Sequence, residues 1–183
     1  MFEQFTKQAR EIVVDATRQA TAANATAVGA EHVAAALLLA RDTPTAALLG
    51  DAGLSGDALA DEVYDAYRTA ERRGGLSETE VDALGELGFD VDSFVSGVEV
   101  SFGENALADE PRRRRRTRQL PFTAAAKAAM AGALREARDL CDREISDVHL
   151  LLALLVTGGV AAEVFGAHGI GYAQVRVLLR RAS

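Results

Sequence analysis

The sequence predicts an all-α fold, and three observations predict it. Apolar residues recur at three- and four-residue spacing along most of the chain, and no alternating stretch reads as a strand pair. A block of positions repeats at one offset of 117 residues (122 less 5, and 149 less 32): Phe5-Thr6 with Phe122-Thr123, Arg10 with Lys127, Ala16 with Ala133, Ala20 with Ala137, His32 with His149, and Leu37-Leu38 with Leu154-Leu155. An apolar-Gly-x-x-Gly-apolar pattern occurs three times, at Leu49 to Leu54, Leu84 to Phe89 and Phe165 to Ile170, each followed five residues later by an apolar residue, Leu59, Phe94 or Val175. Glycine takes the left-handed conformation that closes a helix at little cost, so each copy reads as a helix end, a tight turn and a new helix. The chain is therefore two copies of one helical unit with an extra half-unit between them. Units of more than about fifty residues are duplicated small domains, because solenoids use more and shorter repeats.

Phe5, Ala9, Ile12, Val13, Ala16 and Ala20 share one face of a first helix running to about Asn24, with Thr6 placed to cap it. A second helix is expected from about Ala30 to Ala40. A third opens at Thr43-Pro44, where proline at the first helical position loses no hydrogen bond. Ser55 opens a fourth with Leu59, Val63, Ala66 and Tyr67 on one side. Arg72 to Gly75 interrupts the pattern, and Ser77-x-x-Glu80 reads as a capping box for a short helix carrying Val81, Leu84 and Leu87. Residues Asp90 to Phe102 complete a hairpin through Val91, Phe94, Val95, Val98 and Phe102; it has too little apolar surface to stand alone and is expected to dock on a repeat. From Gly103 to Gln119 periodicity gives way to charge, which marks an exposed, mobile linker. The second repeat begins at Thr123, with Ala126, Met130, Ala133, Ala137 and Leu140 as its first stripe and Ser146 capping its next helix. Gly158-Gly159 and the Gly166/Gly169 pair delimit the last two helices. The resulting organisation is a first repeat over 1–75, an inserted hairpin over 76–102, an Arg-rich linker over 103–119 and a second repeat over 120–183.

A chain of 183 residues can hold one substantial core or two small ones. No apolar run is long enough for a membrane span, and the N-terminus, with Glu3, lacks the pattern of a secretory signal, so a cytoplasmic protein is expected. The single cysteine, Cys141, excludes an internal disulfide and has no partners at ligand spacing; it is expected to pack on its helix as a small apolar residue. Net charge is −7, yet Arg112 to Arg116 and Arg118 place six positive charges in one stretch, leaving −13 (−7 less 6) on the remainder. Such an acidic body with a basic tether requires a partner or a self-contact.

Few constellations here carry chemistry. His32 and His149 hold equivalent positions at the start of the second helix of each repeat, which favours a repeated hydrogen-bonding role over a ligand or acid/base role, and His168 is expected to be solvated in its turn. The only lysines, Lys7 and Lys127, follow no phosphate-loop glycine, and no serine-nucleophile signature is present, so neither enzyme activity nor a cofactor or metal is expected. The arginine run invites phosphate contacts with nucleic acid, but it has no interleaved aromatics and sits on an acidic body; a solvated or self-docked linker is the favoured reading. Phe5 and Phe122 are aligned and suit a core. Phe2 precedes the helical stripe and suits an exposed apolar contact surface.

With Met1-Phe2-x-x-Phe5-Thr6, Gly29-x-Glu31-His32, Pro121-Phe122-Thr123 and the Gly-x-x-Gly turns, the chain resembles the Clp N-terminal domain, the double four-helix repeat that precedes the ATPase modules of Clp unfoldases, and within it the ClpC type. The resemblance spans nearly the whole chain except about Leu76 to Arg118. It implies a non-catalytic docking platform for adaptors and substrates of a ClpC-type unfoldase and protease system. Because the chain stops where an ATPase module would begin, a stand-alone Clp-repeat protein is implied. The resemblance further implies phosphoarginine binding by Thr6 and Glu31 in the first repeat, with Val148 replacing the equivalent glutamate beside Thr123 in the second. It also implies a surface for cyclic peptide antibiotics of the cyclomarin type at Phe2, Arg10, Phe122 and Lys127. A non-enzymatic protein that modulates or protects the Clp protease system is the leading expectation. The alternative is a regulatory or nucleic-acid-associated protein working through Arg112 to Arg118.

Overall fold

The computed structural model describes residues 4–108 and 120–182. These form ten helices: α1 (Lys7–Ala22), α2 (Ala30–Leu39), α3 (Pro44–Asp51), α4 (Gly56–Arg72), α5 (Glu78–Glu86), α6 (Val91–Phe102), α7 (Ala124–Asp139), α8 (Asp147–Thr157), α9 (Val160–Ala167) and α10 (Tyr172–Ala182). Thr6 caps as its place in the sequence indicated, whereas the Ser146 side chain, also expected to cap, makes no cap hydrogen bond to α8 and lies against the His149 ring. The Thr6 hydroxyl accepts the Ala9 N–H at 3.2 Å, Thr43 that of Ala46 at 3.1 Å and Thr123 that of Ala126 at 3.2 Å. Ser77 and Glu80 exchange bonds as a capping box, Glu80 accepting from the Ser77 N–H at 2.9 Å. In each of the three Gly-x-x-Gly turns the second glycine is left-handed, with φ of +73° at Gly53, +85° at Gly88 and +74° at Gly169. The following apolar N–H then closes on the carbonyl five residues back at 2.9 Å in all three (Leu54 on Leu49, Phe89 on Leu84, Ile170 on Phe165).

One core runs through both repeats, and α2 and α8 lie at its centre. Residues from His32 to Leu38 and from Val148 to Leu154 are buried on every side, which is why these helices are apolar all round. Leu37, Leu150, Leu151 and Leu152 are fully buried, each worth about 1.5–3 kcal/mol relative to exposure. Alanine stripes on α1 (Ala9, Ala16, Ala20) and α7 (Ala126, Ala129, Ala133, Ala137) let these helices lie close against α2 and α8. At Gly132 the α7 backbone comes so near α8 that a β-carbon would stand 3.0 Å from the Ala153 methyl.

The repeats interlock through α4 against α9 and α3 against α8. Asp147, 1 % exposed at the start of α8, accepts the Thr45 N–H at 2.8 Å and so satisfies an orphan donor at the start of α3 in the other repeat. As expected, the α5–α6 hairpin docks on the repeats. Glu163 of α9 accepts from the Ser77 and Thr79 side chains and from the Thr79 and Glu78 amides at the start of α5; burial alone would raise its pKa, and these bonds together outweigh it and hold the carboxyl below its ordinary value. From the other side, Arg72 grips Glu99 at 2.6 Å and Arg73 grips Asp92 at 2.9 Å. Hydrogen bonding from Arg72 first, then from the Asn105 N–H, brings the Glu99 pKa down to about 2.

One expectation needs correction, and two are extended. His168 is exposed in its turn as expected, and its Nε2 also lies 2.7 Å from Glu62 of α4, where α9 ends against that helix. Cys141 does not pack on α7; the helix ends at Asp139, and Cys141 is exposed at φ +61°, the left-handed turn position filled by Asn24 in the first repeat. The segment expected to be a linker begins in a fold-back turn, with the Asn105 N–H bonded to Glu99 at 3.0 Å, and residues 109–119, including Arg112 to Arg118, lie outside the described residues.

Candidate functional site

The two repeats are tied together by short extended segments that cross between them. Phe5 pairs in parallel with Ile145, and Val28 with Phe122, as isolated bridges related by the 117-residue offset. The Thr6 N–H bonds to Ile145 O at 2.9 Å and the Ile145 N–H to Gln4 O at 2.6 Å; the Val28 N–H bonds to Pro121 O at 2.8 Å and the Thr123 N–H to Val28 O at 2.9 Å. The start of the first helix of each repeat is therefore held beside the start of the second helix of the other. Each candidate pocket is composite.

Glu31 accordingly faces Thr123. Both line a cleft of about 850 Å³ together with His32, the α1–α2 loop from Ala23 to Ala27 and the outer face of α4, including Asp61, Tyr64, Asp65, Tyr67, Arg68 and Glu71. Thr6 is not part of it, so the structure separates the Thr6 and Glu31 that the sequence reading assigned to one pocket. By the symmetry of the bridges, Thr6 is set beside the helix start that carries Val148, which is 4 % exposed and offers no polar atom. Of the two equivalent positions, 31 carries a carboxylate and 148 does not.

Local backbone explains how that carboxylate is held. His32 accepts the Gly29 N–H on Nδ1 at 3.1 Å, and His149 accepts the Ser146 N–H on Nδ1 at 2.9 Å; each histidine reaches back from the third helical position to the residue that caps its own helix. The expected repeated structural role of the two histidines is thereby met. His149 also has Nε2 3.1 Å from Asp142, and burial pulls its pKa below the ordinary value despite that carboxylate. Glu31 folds back over its helix start, with Oε1 2.8 Å from His32 Nδ1. A β-carbon at Gly29 would lie 2.0 Å from Oε1 and 2.1 Å from Oε2, so glycine at 29 is what leaves room for the carboxylate. In the second repeat Ser146 fills that space, its hydroxyl 3.0 Å from His149 Nδ1, and position 148 is apolar. The pairs Gly29/Glu31 and Ser146/Val148 are thus two alternative ways of filling one site.

The cleft is acidic. Among the described residues that line it, Glu31, Asp61, Asp65 and Glu71 outnumber the guanidinium of Arg68, which is itself paired with Asp65. Burial first, and the Glu31 charge second, raise the pKa of both Tyr64 and Tyr67, keeping the phenols protonated as donors. Opposite them Thr123 caps α7, whose N-terminus carries the partial positive charge of its unpaired amides. An arrangement with carboxylates on one wall and a helix start on the other suits a ligand with a cationic and an anionic end.

The model of the Clp repeat (R) N-terminal domain family matches residues 4–83, 75–168 and 121–182. The chain belongs to that family. Its Clp-repeat fold is shared with the N-terminal domain of the chaperone ClpD from Arabidopsis thaliana (16% identity, 100% of this chain and 97% of that one, TM-score 0.55) and of Hsp104 from Candida albicans (16%, 96% and 88%, 0.52). A structure described as a preliminary structural investigation of a malarial protein secretion system is similar as well (14%, 98% and 94%, 0.61). Domains of the Clp-repeat family dock substrates or adaptors for Clp and Hsp100 unfoldases.

Of the other expected site residues, Arg10 and Lys127 are exposed at equivalent places on α1 and α7, and Phe122 is half-buried against the core next to its bridge to Val28. Phe2 lies outside the described residues. Sequence reasoning missed the α4 wall. Its signal was present in the polar stripe Asp61, Tyr64, Asp65, Arg68 and Glu71, opposite the buried Leu59 and Val63.

Proposed function

We propose that this protein is a non-enzymatic docking protein of the Clp protease system, acting in the cytoplasm, and that its composite cleft takes phosphoarginine side chains displayed on marked proteins. The observation that carries this reading is that Glu31 and Thr123, from different repeats, line one cleft. A carboxylate pairs with a guanidinium through paired hydrogen bonds, and a capped helix start supplies amides for a phosphate. Partners on this reading are a ClpC-type unfoldase, its adaptors or its substrates, which the protein would modulate or protect. The test is calorimetry with free phosphoarginine, with arginine as control. One site is expected, lost in Glu31→Ala and in Thr123→Ala and retained in Thr6→Ala and Val148→Ala. Two equal sites, or equal binding of arginine, would refute the reading.

A second reading concerns apolar cyclic peptides of the cyclomarin type. It is favoured by Phe122 being half-buried, so that part of its ring stays available, and by the exposed Arg10 and Lys127, which offer donors to peptide carbonyls. Aromatic anchors of this kind commonly contribute about 2 kcal/mol or more, roughly thirtyfold in affinity. Truncation of Phe2 or Phe122 to alanine is expected to weaken such a peptide by that factor, with Phe2→Ala leaving the melting temperature unchanged.

A further inference from the structure

The hairpin α5–α6 is a half-repeat with its covering helix missing. Aligned by its glycine turn, Leu84, Phe89, Phe94, Val98 and Phe102 correspond to Leu49, Leu54, Leu59, Val63 and Tyr67 of the first repeat. In the second repeat the first four correspond to Phe165, Ile170, Val175 and Leu179. In the repeats this face is closed: Leu59 is 2 % and Val63 0 % exposed where α4 packs along α2, and Phe165 is 0 % and Val175 1 % exposed where α9 and α10 pack on α8. On the hairpin Phe89 is 46 %, Phe94 51 % and Phe102 81 % exposed. Phe94, Val98 and Phe102 follow one another at four-residue spacing along α6, and the Phe89 and Phe94 rings stand 5.6 Å apart. Large apolar faces left open on a folded protein mark contact surfaces.

The molecule itself shows what fits there. Twice in this fold the same face is covered by one apolar helix, α2 or α8. Charge narrows the choice further: residues 76–108 contain eight carboxylates and no lysine or arginine, and five of the eight remain after Glu78, Asp92 and Glu99 pair with Arg72 and Arg73. Such a surface repels phosphate backbones and anionic bilayers and attracts cations. We propose that the α5–α6 face binds a basic amphipathic helix of a partner protein, seated as α2 seats on α4, with its apolar side on Phe89, Phe94 and Phe102 and its cationic side toward the hairpin carboxylates. This surface lies apart from the Glu31 cleft and does not depend on what that cleft binds.

The test uses the full chain and a fluorescein-labelled synthetic helix with leucines at helical spacing and lysines and arginines elsewhere, read by anisotropy. Binding is expected, about tenfold or more weaker in Phe94→Ser and in Phe102→Ser and unchanged in Glu31→Ala. The same peptide with its basic residues replaced by glutamate is expected not to bind. Circular dichroism checks the fold of each variant, and Phe102, being mostly exposed, is the substitution least able to disturb it. Several results would overturn the proposal: undiminished binding by both phenylalanine variants, equal binding of a scrambled peptide of the same composition, or loss of binding in Glu31→Ala, which would move the contact to the cleft. A dimer seen by light scattering and dissolved by Phe102→Ser would overturn it too, because a second copy of the chain would then be the occupant.

Discussion

Replacing Asp147 by alanine tests how the two repeats are locked together. Its carboxylate and Thr45 are both essentially inaccessible to water, and the Thr45 N–H has the Asp147 oxygen at 2.8 Å as its partner. The Thr45 hydroxyl, buried nearby, has no hydrogen-bond partner among the described residues, so the start of α3 has little in reserve. Two effects oppose each other. Removing the carboxylate relieves the cost of burying a charge. It also deletes a charge-assisted hydrogen bond of about 1.5–3 kcal/mol and strands a buried N–H that water cannot reach. Because the acceptor also lies at the positive end of two helices, α3 and its own α8, the second effect is expected to win by about 2 kcal/mol. For a chain of this length that corresponds to a fall of about 4–8 °C in melting temperature. Asp147→Asn keeps an acceptor of the same shape and is expected to lose less than half as much. Thermal unfolding followed by circular dichroism measures the shift, and hydrogen exchange should show faster exchange at the start of α3. An alanine variant melting within about 1 °C of the parent, or above it, would show that the burial cost of the carboxylate cancels its capping, and the reasoning would fail.

Other consequences are equally direct. Gly29→Ser installs the side chain found at Ser146; it is expected to leave stability unchanged or raised through a new bond to His32 Nδ1, while displacing the Glu31 carboxylate and weakening phosphoarginine binding by about tenfold or more, as calorimetry would show. Cys141→Gly relieves a left-handed non-glycine residue and is expected to raise stability by about 1 kcal/mol, read by denaturant titration. Glu163 has a lowered pKa in the folded chain, so the anchoring of α5 that it provides is complete above the ordinary carboxylate value of about 4.3 and is lost as pH falls through the lower folded value. Protection of the α5 amides, taken relative to their intrinsic exchange rate at each pH, should therefore fall on acidification below about pH 4.3, and Glu163→Gln should show that lower protection already at neutral pH.

The repeated architecture could be read from the chain because its determinants are local. Helical stripes such as Phe5 to Ala20, the hydroxyl cap at Thr6, the Ser77/Glu80 capping box and the left-handed glycines of three turns act within one or two helical turns, and each behaves as its neighbours in sequence dictate. The equivalence of His32 and His149 likewise points to a repeated hydrogen-bonding role, and each bonds the backbone N–H of the residue that caps its own helix. Cys141 shows where local reading fails: the apolar stripe of α7 leads up to it through Ala137 and Leu140, and only the chain's reversal into the next loop places it at a positive φ.

Pairing across the repeats was settled by tertiary structure alone. The resemblance to ClpC-type domains implied one site made of Thr6 and Glu31, both from the first repeat. The bridges of Phe5 with Ile145 and of Val28 with Phe122 exchange these segments, and put Glu31 with Thr123 instead. Each bridge joins single extended residues through backbone groups, and backbone groups are the same in every residue, so no side-chain pattern announces the partner. The same holds for Asp147 and Thr45, 102 residues apart, whose contact exists only because α3 and α8 pack together. Sequence determined the units and the side chains each could offer; the packing of one unit on the other decided which of those side chains share a pocket, because that choice depends on the docking of whole surfaces and on no short-range preference of the chain.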